Sequence, residues 1–238
     1  MLIAHYTSIE TAFAKIIPTQ KIKFGALTNT NDPYEVRMDW HLGTRVSADP
    51  LEDANSIIEG NEKSRQELKE TLRIGCFSYC QNNSLECGNN SHLWTYYASA
   101  KDGIDQGCAL IFDSEILTSN IHLNNNQKLI RSDKIRYANA FQLFVENGIT
   151  VSADAFMLKT ERWSEEKEYR IIIKNLSGNH RHDFVDISSS LKVIVINASQ
   201  FSQLNQRFIN GMNSLCQSEV LWRRRIYDAF SHEFYLSE

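Results

Sequence analysis

Apolar runs and strict alternation divide the chain into short strands separated by polar stretches. Leu2 to Tyr6 is predicted as a short buried strand. Thr7-Ser8-Ile9-Glu10 follows as a capping box with Thr7 at the N-cap. It opens a helix with Ile9, Phe13, Ile16 and Ile17 on one face, which Pro18 stops. Further strands are predicted for Lys21 to Phe24, Arg73 to Tyr79, Gly107 to Phe112, Lys134 to Tyr137, Tyr169 to Ile173 and Leu191 to Ile196. Helices are predicted from Pro33, across the polar stretch Ala48 to Leu72, and as a short aromatic helix over Ser91 to Ala98. Others start within Asp113 to Leu117, run in an interrupted pattern over Phe141 to Leu158, and form an amphipathic helix over Phe201 to Cys216. Ile226 to Phe234 reads as a terminal strand or helix. Gln81 to Asn90 is expected to be a mobile loop, Ile121 to Gln127 a loop, and Ser177 to His180 a turn.

No repeat and no linker composition interrupts this series. The expectation is one α+β domain over residues 1–238, with a mixed or antiparallel central sheet, flanking helices and a helical insertion near residues 45–72.

The stretch from Trp163 to Lys174 concentrates chemistry. Tyr169 to Ile173 is a buried strand, and Glu165, Glu166 and Glu168 crowd its entrance. On extended backbone Glu166 and Glu168 point the same way, about 7 Å apart. Such a pair raises its own pKa unless a cation or ligand lies between. Two readings stand. The pair is solvated or paired with Arg162, Lys167 and Arg170, or Glu168 holds a ribose or leaving group. Trp163 packs beside the sheet or stacks on a base or nicotinamide ring.

The 238 residues, 42% hydrophobic and 23% charged, suffice for a sizeable core. A net charge of −4 gives no overall field that attracts nucleic acid, so only a local patch could. The strongest is Arg223-Arg224-Arg225, which suits phosphates or a solvated helix end. No apolar run approaches the ~20 residues that span a bilayer, and the first residues lack the pattern of a signal peptide. With five cysteines, an odd number, free thiols and a cytoplasmic location are expected. Cys76, Cys80 and Cys87, with His92 nearby, do not have zinc-ribbon spacing; Cys76 reads as strand core, and no metal is expected.

Taken in order, several short motifs resemble a bacterial family of uncharacterised proteins, domain-of-unknown-function family 2971. They are His5-Tyr6-Thr7, Phe24 with Asn31-Asp32-Pro33-Tyr34-Glu35, Cys76-Phe77-Ser78, Leu93 to Ala98 with Gly107, Tyr137, Lys159, and Trp163-x-x-Glu166-x-Glu168-Tyr169-Arg170. Their chemistry resembles a remote version of the ADP-ribosyltransferase fold. That resemblance implies NAD as a consumed substrate, with His5 at the adenine-side ribose and Ser78 at the nicotinamide half. Glu168 would bond the nicotinamide ribose, and Glu166 would act on an acceptor. Tyr6, Trp163 and Arg170 are carried with them as cofactor-binding residues. Cys-Phe-Ser departs from the Ser-Thr-Ser of that fold, and no acceptor loop is assigned. The implied activity is a transferase or glycohydrolase, of the kind found in toxins and phage-defence effectors, acting on a protein or nucleic-acid acceptor.

Two other readings come from the residues. Glu165-Glu166-Lys167 matches a Glu-x-Lys nuclease signature, with Asp113 as a partner metal ligand. The aromatic cluster and the arginine run equally suit a non-catalytic module that binds a nucleotide or a protein. No glycine-rich phosphate loop, Walker-type lysine or nucleophile elbow is present.

Overall fold

The computed structural model describes residues 1–26, 68, 70–98, 107–139, 156–176, 182–216, 219–228, 230–231 and 233–237. The helix expected from Pro33, most of the insertion near 45–72, most of the pattern over 141–158 and the turn at 177–180 lie outside them.

Strands β1 (Leu2–Ser8), β2 (Lys21–Ala26), β3 (Leu72–Tyr79), β4 (Gly107–Asp113), β5 (Gln127–Lys134), β8 (Glu168–Asn175), β9 (His182–Asp186), β10 (Leu191–Asn197), β11 (Leu221–Asp228) and β12 (Glu233–Ser237) share one sheet. Its main path runs β12-β11-β10-β4-β1-β3-β2-β9, with β8 on the other edge of β3 and β5 beyond it. The β10–β11 pair is parallel and the remaining pairs are antiparallel, so the sheet is mixed. A second, two-stranded sheet joins β6 (Arg136–Ala138) and β7 (Leu158–Thr160) in parallel. The described residues are α+β, as the pattern predicts.

Strict alternation places the central strands between two apolar layers. On one face Leu110, Phe112, Ile171, Ile173, Ile194 and Ile196 pack with Ile16 and Ile17 of helix α1 (residues 9–19) and with Leu117 and Ile121 of α2 (Ser114–Leu123). On the other face Ala4, Ala109, Ile111, Val193 and Val195 pack with Cys87, Leu93 and Trp94. Helix α3 (Gln206–Leu215) lies on the first face, where Phe208 meets Phe13 edge to face. No helix among the described residues is long and apolar enough to cross a membrane.

Several local expectations change. Strand β1 runs through Thr7, so the cap is Ser8, whose Oγ accepts from the Thr11 N–H at 3.1 Å. Pro18 does not stop α1. A wider turn over Ala12–Ile16, with the Ile17 N–H reaching the Ala12 carbonyl, lets the helix continue to Thr19. Asp113 caps α2, which absorbs Ile121 to Leu123 before the loop begins. The C-terminal stretch is the β11–β12 hairpin, so the arginine run sits on a strand rather than at a helix end.

Gln81 to Asn90 is not a loose loop. Ser84 caps a short 3₁₀ turn, and Cys87 and Gly88 are buried against the sheet. A side chain at Gly88 would meet Ile111 Cδ1 at 2.8 Å. The Tyr6 hydroxyl donates to the Cys87 carbonyl at 2.6 Å and accepts from the Asn90 N–H at 2.9 Å, while Trp94 Nε1 donates to the Gly88 carbonyl.

Candidate active site

Strand β3 shares one edge between two partners. It pairs with β1 at Ser78 and Tyr79 and with β2 at Arg73 and Ile74. Neither partner pairs with Gly75, Cys76 or Phe77, so the sheet parts there. A cavity of about 250 Å³ occupies the gap. Its lining includes His5 and Tyr6 from β1, Lys23 from β2, Cys76 and Ser78 from β3, and Lys159, Glu166, Glu168 and Arg170.

His5 stands at the fork. Its Nδ1 lies 3.4 Å from the Cys76 carbonyl, and its ring meets Phe77 edge to face. Burial pushes the imidazole below its usual pKa, against the pull of that carbonyl.

The opposite wall is made of charge. Strand β8 starts at Glu168, opposite Ser78, and Arg170 falls opposite Cys76. Glu168 Oε1 accepts from Arg170 Nε and Nη2, both at 2.7 Å, and its Oε2 accepts from Lys159 Nζ at 3.0 Å. Lys159 Nζ also donates to Glu166 Oε2 at 2.6 Å. Arg170 is wholly buried and donates from Nη1 to the Phe156 carbonyl at 2.6 Å. Burial alone would raise the Glu168 pKa, but Arg170 and Lys159 outweigh it and hold the carboxyl down at about 2.

Backbone contacts fix this wall in place. Tyr137 Oη accepts from the Glu168 N–H at 2.7 Å, and Ser78 Oγ donates to the Glu166 carbonyl at 2.9 Å. Glu166 and Glu168 do converge, though not by strand alternation. Glu166 ends a 3₁₀ turn, and Lys167 takes a left-handed conformation at φ 46° that swings both carboxylates towards one ammonium.

The structure therefore brings His5, Tyr6, Ser78, Glu166, Glu168 and Arg170 to one cavity. Tyr6 spends its hydroxyl on the 81–90 segment, and Ser78 spends its own on the Glu166 backbone. Trp163 is not part of the lining; its ring lies under Lys159 Nζ at 4.9 Å and beside Arg162. Cys76 is not core. It opens onto the cavity, where burial and the neighbouring Glu168 carboxylate raise its thiol well above the usual pKa. Sequence reasoning gave Lys159 no role, because its two carboxylate partners meet only in the folded chain.

The residues of the other readings fall elsewhere. Asp113 Oδ1 accepts the Glu115 and Ile116 N–H groups as a helix cap, and Glu165 is exposed. No group of three His, Cys, Asp or Glu among the described residues could hold a metal ion. Within the arginine run, Arg225 is buried over the Trp94 ring and donates to Asn89, Asn197 and Ser91. Tyr96, by contrast with buried Trp94, is exposed.

No family model matches the chain, and no curated protein does, so the likeness to family 2971 rests on motif order alone. Two solved structures are similar in overall course. One is Thermus sp. 2.9 DarT in complex with NAD⁺, with a TM-score of 0.42 and 10% identity over 94% of this chain and 95% of that chain. The other is Thermus sp. 2.9 DarT in complex with ADP-ribosylated ssDNA, with a TM-score of 0.42 and 7% identity over 93% and 92%. Likeness at that level says nothing about chemistry.

Proposed function

We propose that the chain binds NAD in the gap of its sheet and cleaves the nicotinamide bond, as an ADP-ribosyltransferase or NAD glycohydrolase. The observation that carries this reading is the convergence of His5 and Glu168 on one cavity. The cavity, about 250 Å³, is slightly smaller than the roughly 300–1,000 Å³ of ordinary ligand sites. It would take the nicotinamide ribose at Glu168, with the adenine-side ribose reaching His5 and the adenine base left outside.

Departure of neutral nicotinamide leaves positive charge on the ribose. An ionised carboxylate held beside that ribose lowers the barrier. Lys159 and Arg170 balance the charge of the carboxylate pair, so Glu168 offers a fixed, ionised acceptor more than a net field. Glu168 Oε1 already accepts twice from Arg170, so a ribose hydroxyl would bond at Oε2, beside the Lys159 ammonium. Glu166 would take the proton of an acceptor, whether water or a macromolecule. A role in toxicity or phage defence would follow from depletion of NAD or modification of that acceptor.

The test is nicotinamide release from NAD by the pure protein, with and without single-stranded DNA or protein acceptors. Wild type should release it, and Glu168→Gln should be slower by about 100-fold or more. Equal release from both proteins sinks the assignment. One observation favours a second reading: both oxygens of Glu168 are already bonded. A binding module would show NAD binding by calorimetry and no nicotinamide with any acceptor. Absence of both binding and release removes NAD altogether.

A further inference from the structure

Lys159 comes from outside the large sheet. It sits on β7, opposite Tyr137 of β6 in the small parallel pair, and reaches into the cavity wall with its side chain 5% exposed. Its ammonium is cradled on three sides, by Glu166 Oε2 at 2.6 Å, Glu168 Oε2 at 3.0 Å and the Trp163 ring at 4.9 Å. Burying an ammonium is costly unless its partners are well placed. Here one cation serves two acids. Both oxygens lie within 3.0 Å of one ammonium, so removing it sets two like charges against each other.

We propose that Lys159 is the positioning residue of the site: its ammonium holds the Glu166 and Glu168 carboxylates convergent, and without it Glu168 takes up a proton more readily and ceases to be a fixed acceptor. The catalytic consequence rests on the NAD reading, whereas the effect on the carboxylates does not. Arg170 cannot take over this role, because it approaches Glu168 from the Oε1 side. The titratable groups around the pair are His5 of β1, Lys23 of β2, Cys76 of β3, Tyr137 of β6, Arg170 of β8 and Arg162 of the turn. Cys76 and Tyr137 are held above their usual ranges by burial, so neither supplies a charge near neutrality.

The measurement is the titration of the Glu168 carboxyl by carbon NMR in protein labelled at the glutamate carboxyl carbon, with Glu168→Gln assigning the signal. In Lys159→Gln, which keeps a donor and removes the charge, Glu168 should take up its proton at least one pH unit higher, a tenfold change in proton affinity. Lys159→Arg should return most of that shift, less than all of it because a planar guanidinium seats differently. Circular dichroism and a single cooperative unfolding transition show that each variant is folded; Lys159→Met serves if the glutamine variant is not.

In parallel, the acid limb of the nicotinamide-release profile should move up in Lys159→Gln and back in Lys159→Arg. An unchanged Glu168 titration in folded Lys159→Gln overturns the role of Lys159, even if wild type releases nicotinamide. A moved titration with no release from wild type leaves Lys159 in place and removes the NAD reading instead.

Discussion

The two edges of β1 are built differently. Along one edge it pairs with β4 from Leu2↔Asp113 to Ser8↔Gly107 without a break. Along the other it meets β3 at Ile3 and Ala4 and then leaves it, opening the cavity. The zipped edge is mostly apolar: Ile3, Ala4, Ala109, Leu110, Ile111 and Phe112 are all wholly buried. The split edge faces a wall of Lys159, Glu166, Glu168 and Arg170, also buried. Apolar burial depends on area and is indifferent to pH near neutrality. Buried ion pairs depend on which groups carry protons, and they stabilise little beyond the cost of burying them. One strand thus carries a seam of apolar packing and a seam lined with buried charge.

Arg170→Met strikes the split seam and should have the largest effect, about 3–5 kcal/mol at neutral pH, because it leaves a buried carboxylate without a main counter-charge. Its pH dependence has a definite sign. Glu168 is depressed to about 2 from an ordinary 4.5, so its contribution is complete above about 4.5 and lost as pH falls towards 2. His5 is depressed below 6.5, so acid also weakens the fold as this imidazole is kept neutral below that pH. The cost of Arg170→Met should therefore shrink between pH 7 and pH 3.

Leu110→Ala strikes the zipped seam. It should cost a little less, about 2–4 kcal/mol, and by the same amount at both pH values. Denaturant titrations of the three proteins at pH 7 and pH 3 make the comparison. If the two penalties respond to pH alike, the seams do not differ in the way their residues imply.

The zipped seam was the legible one. Gly107 to Phe112 is a continuous apolar run and Leu191 to Ile196 is interrupted only by Lys192, and each strand extends one residue past its predicted end. Strand β5 escaped notice because it is a largely polar edge strand, and its register shifts between Leu129 and Arg131, which spoils the alternation. The 81–90 segment was misread because its asparagines and glycine mimic a loop. What orders it are bonds from Tyr6 and Trp94, made from other elements of the fold. The site was half legible. Strand ends marked His5 and Glu168, but the outward turn of Cys76 depends on β1 leaving β3. The meeting of Lys159 with both carboxylates depends on a left-handed Lys167 that local sequence does not announce.

The smallest effects lie on the rim of the split, where two glycines separate its packed side from its open side. A methyl group at Gly75 would run into Cζ of Phe24, a wholly buried ring. That ring also meets Phe77 edge to face, so it cannot step aside without disturbing the sheet. Gly75→Ala should cost about 1–3 kcal/mol through overpacking. A methyl group at Gly25, pairing with Ile74 one residue away, meets nothing within 4 Å, and its backbone is not left-handed. Gly25→Ala should be neutral or stabilise by up to about 1 kcal/mol, because alanine restricts the unfolded chain. The two substitutions are chemically identical, so their difference in denaturant midpoint reads the packing of the rim directly. Equal midpoints would mean that Phe24 yields to the added methyl, and the boundary of the cavity would then be set by pairing alone.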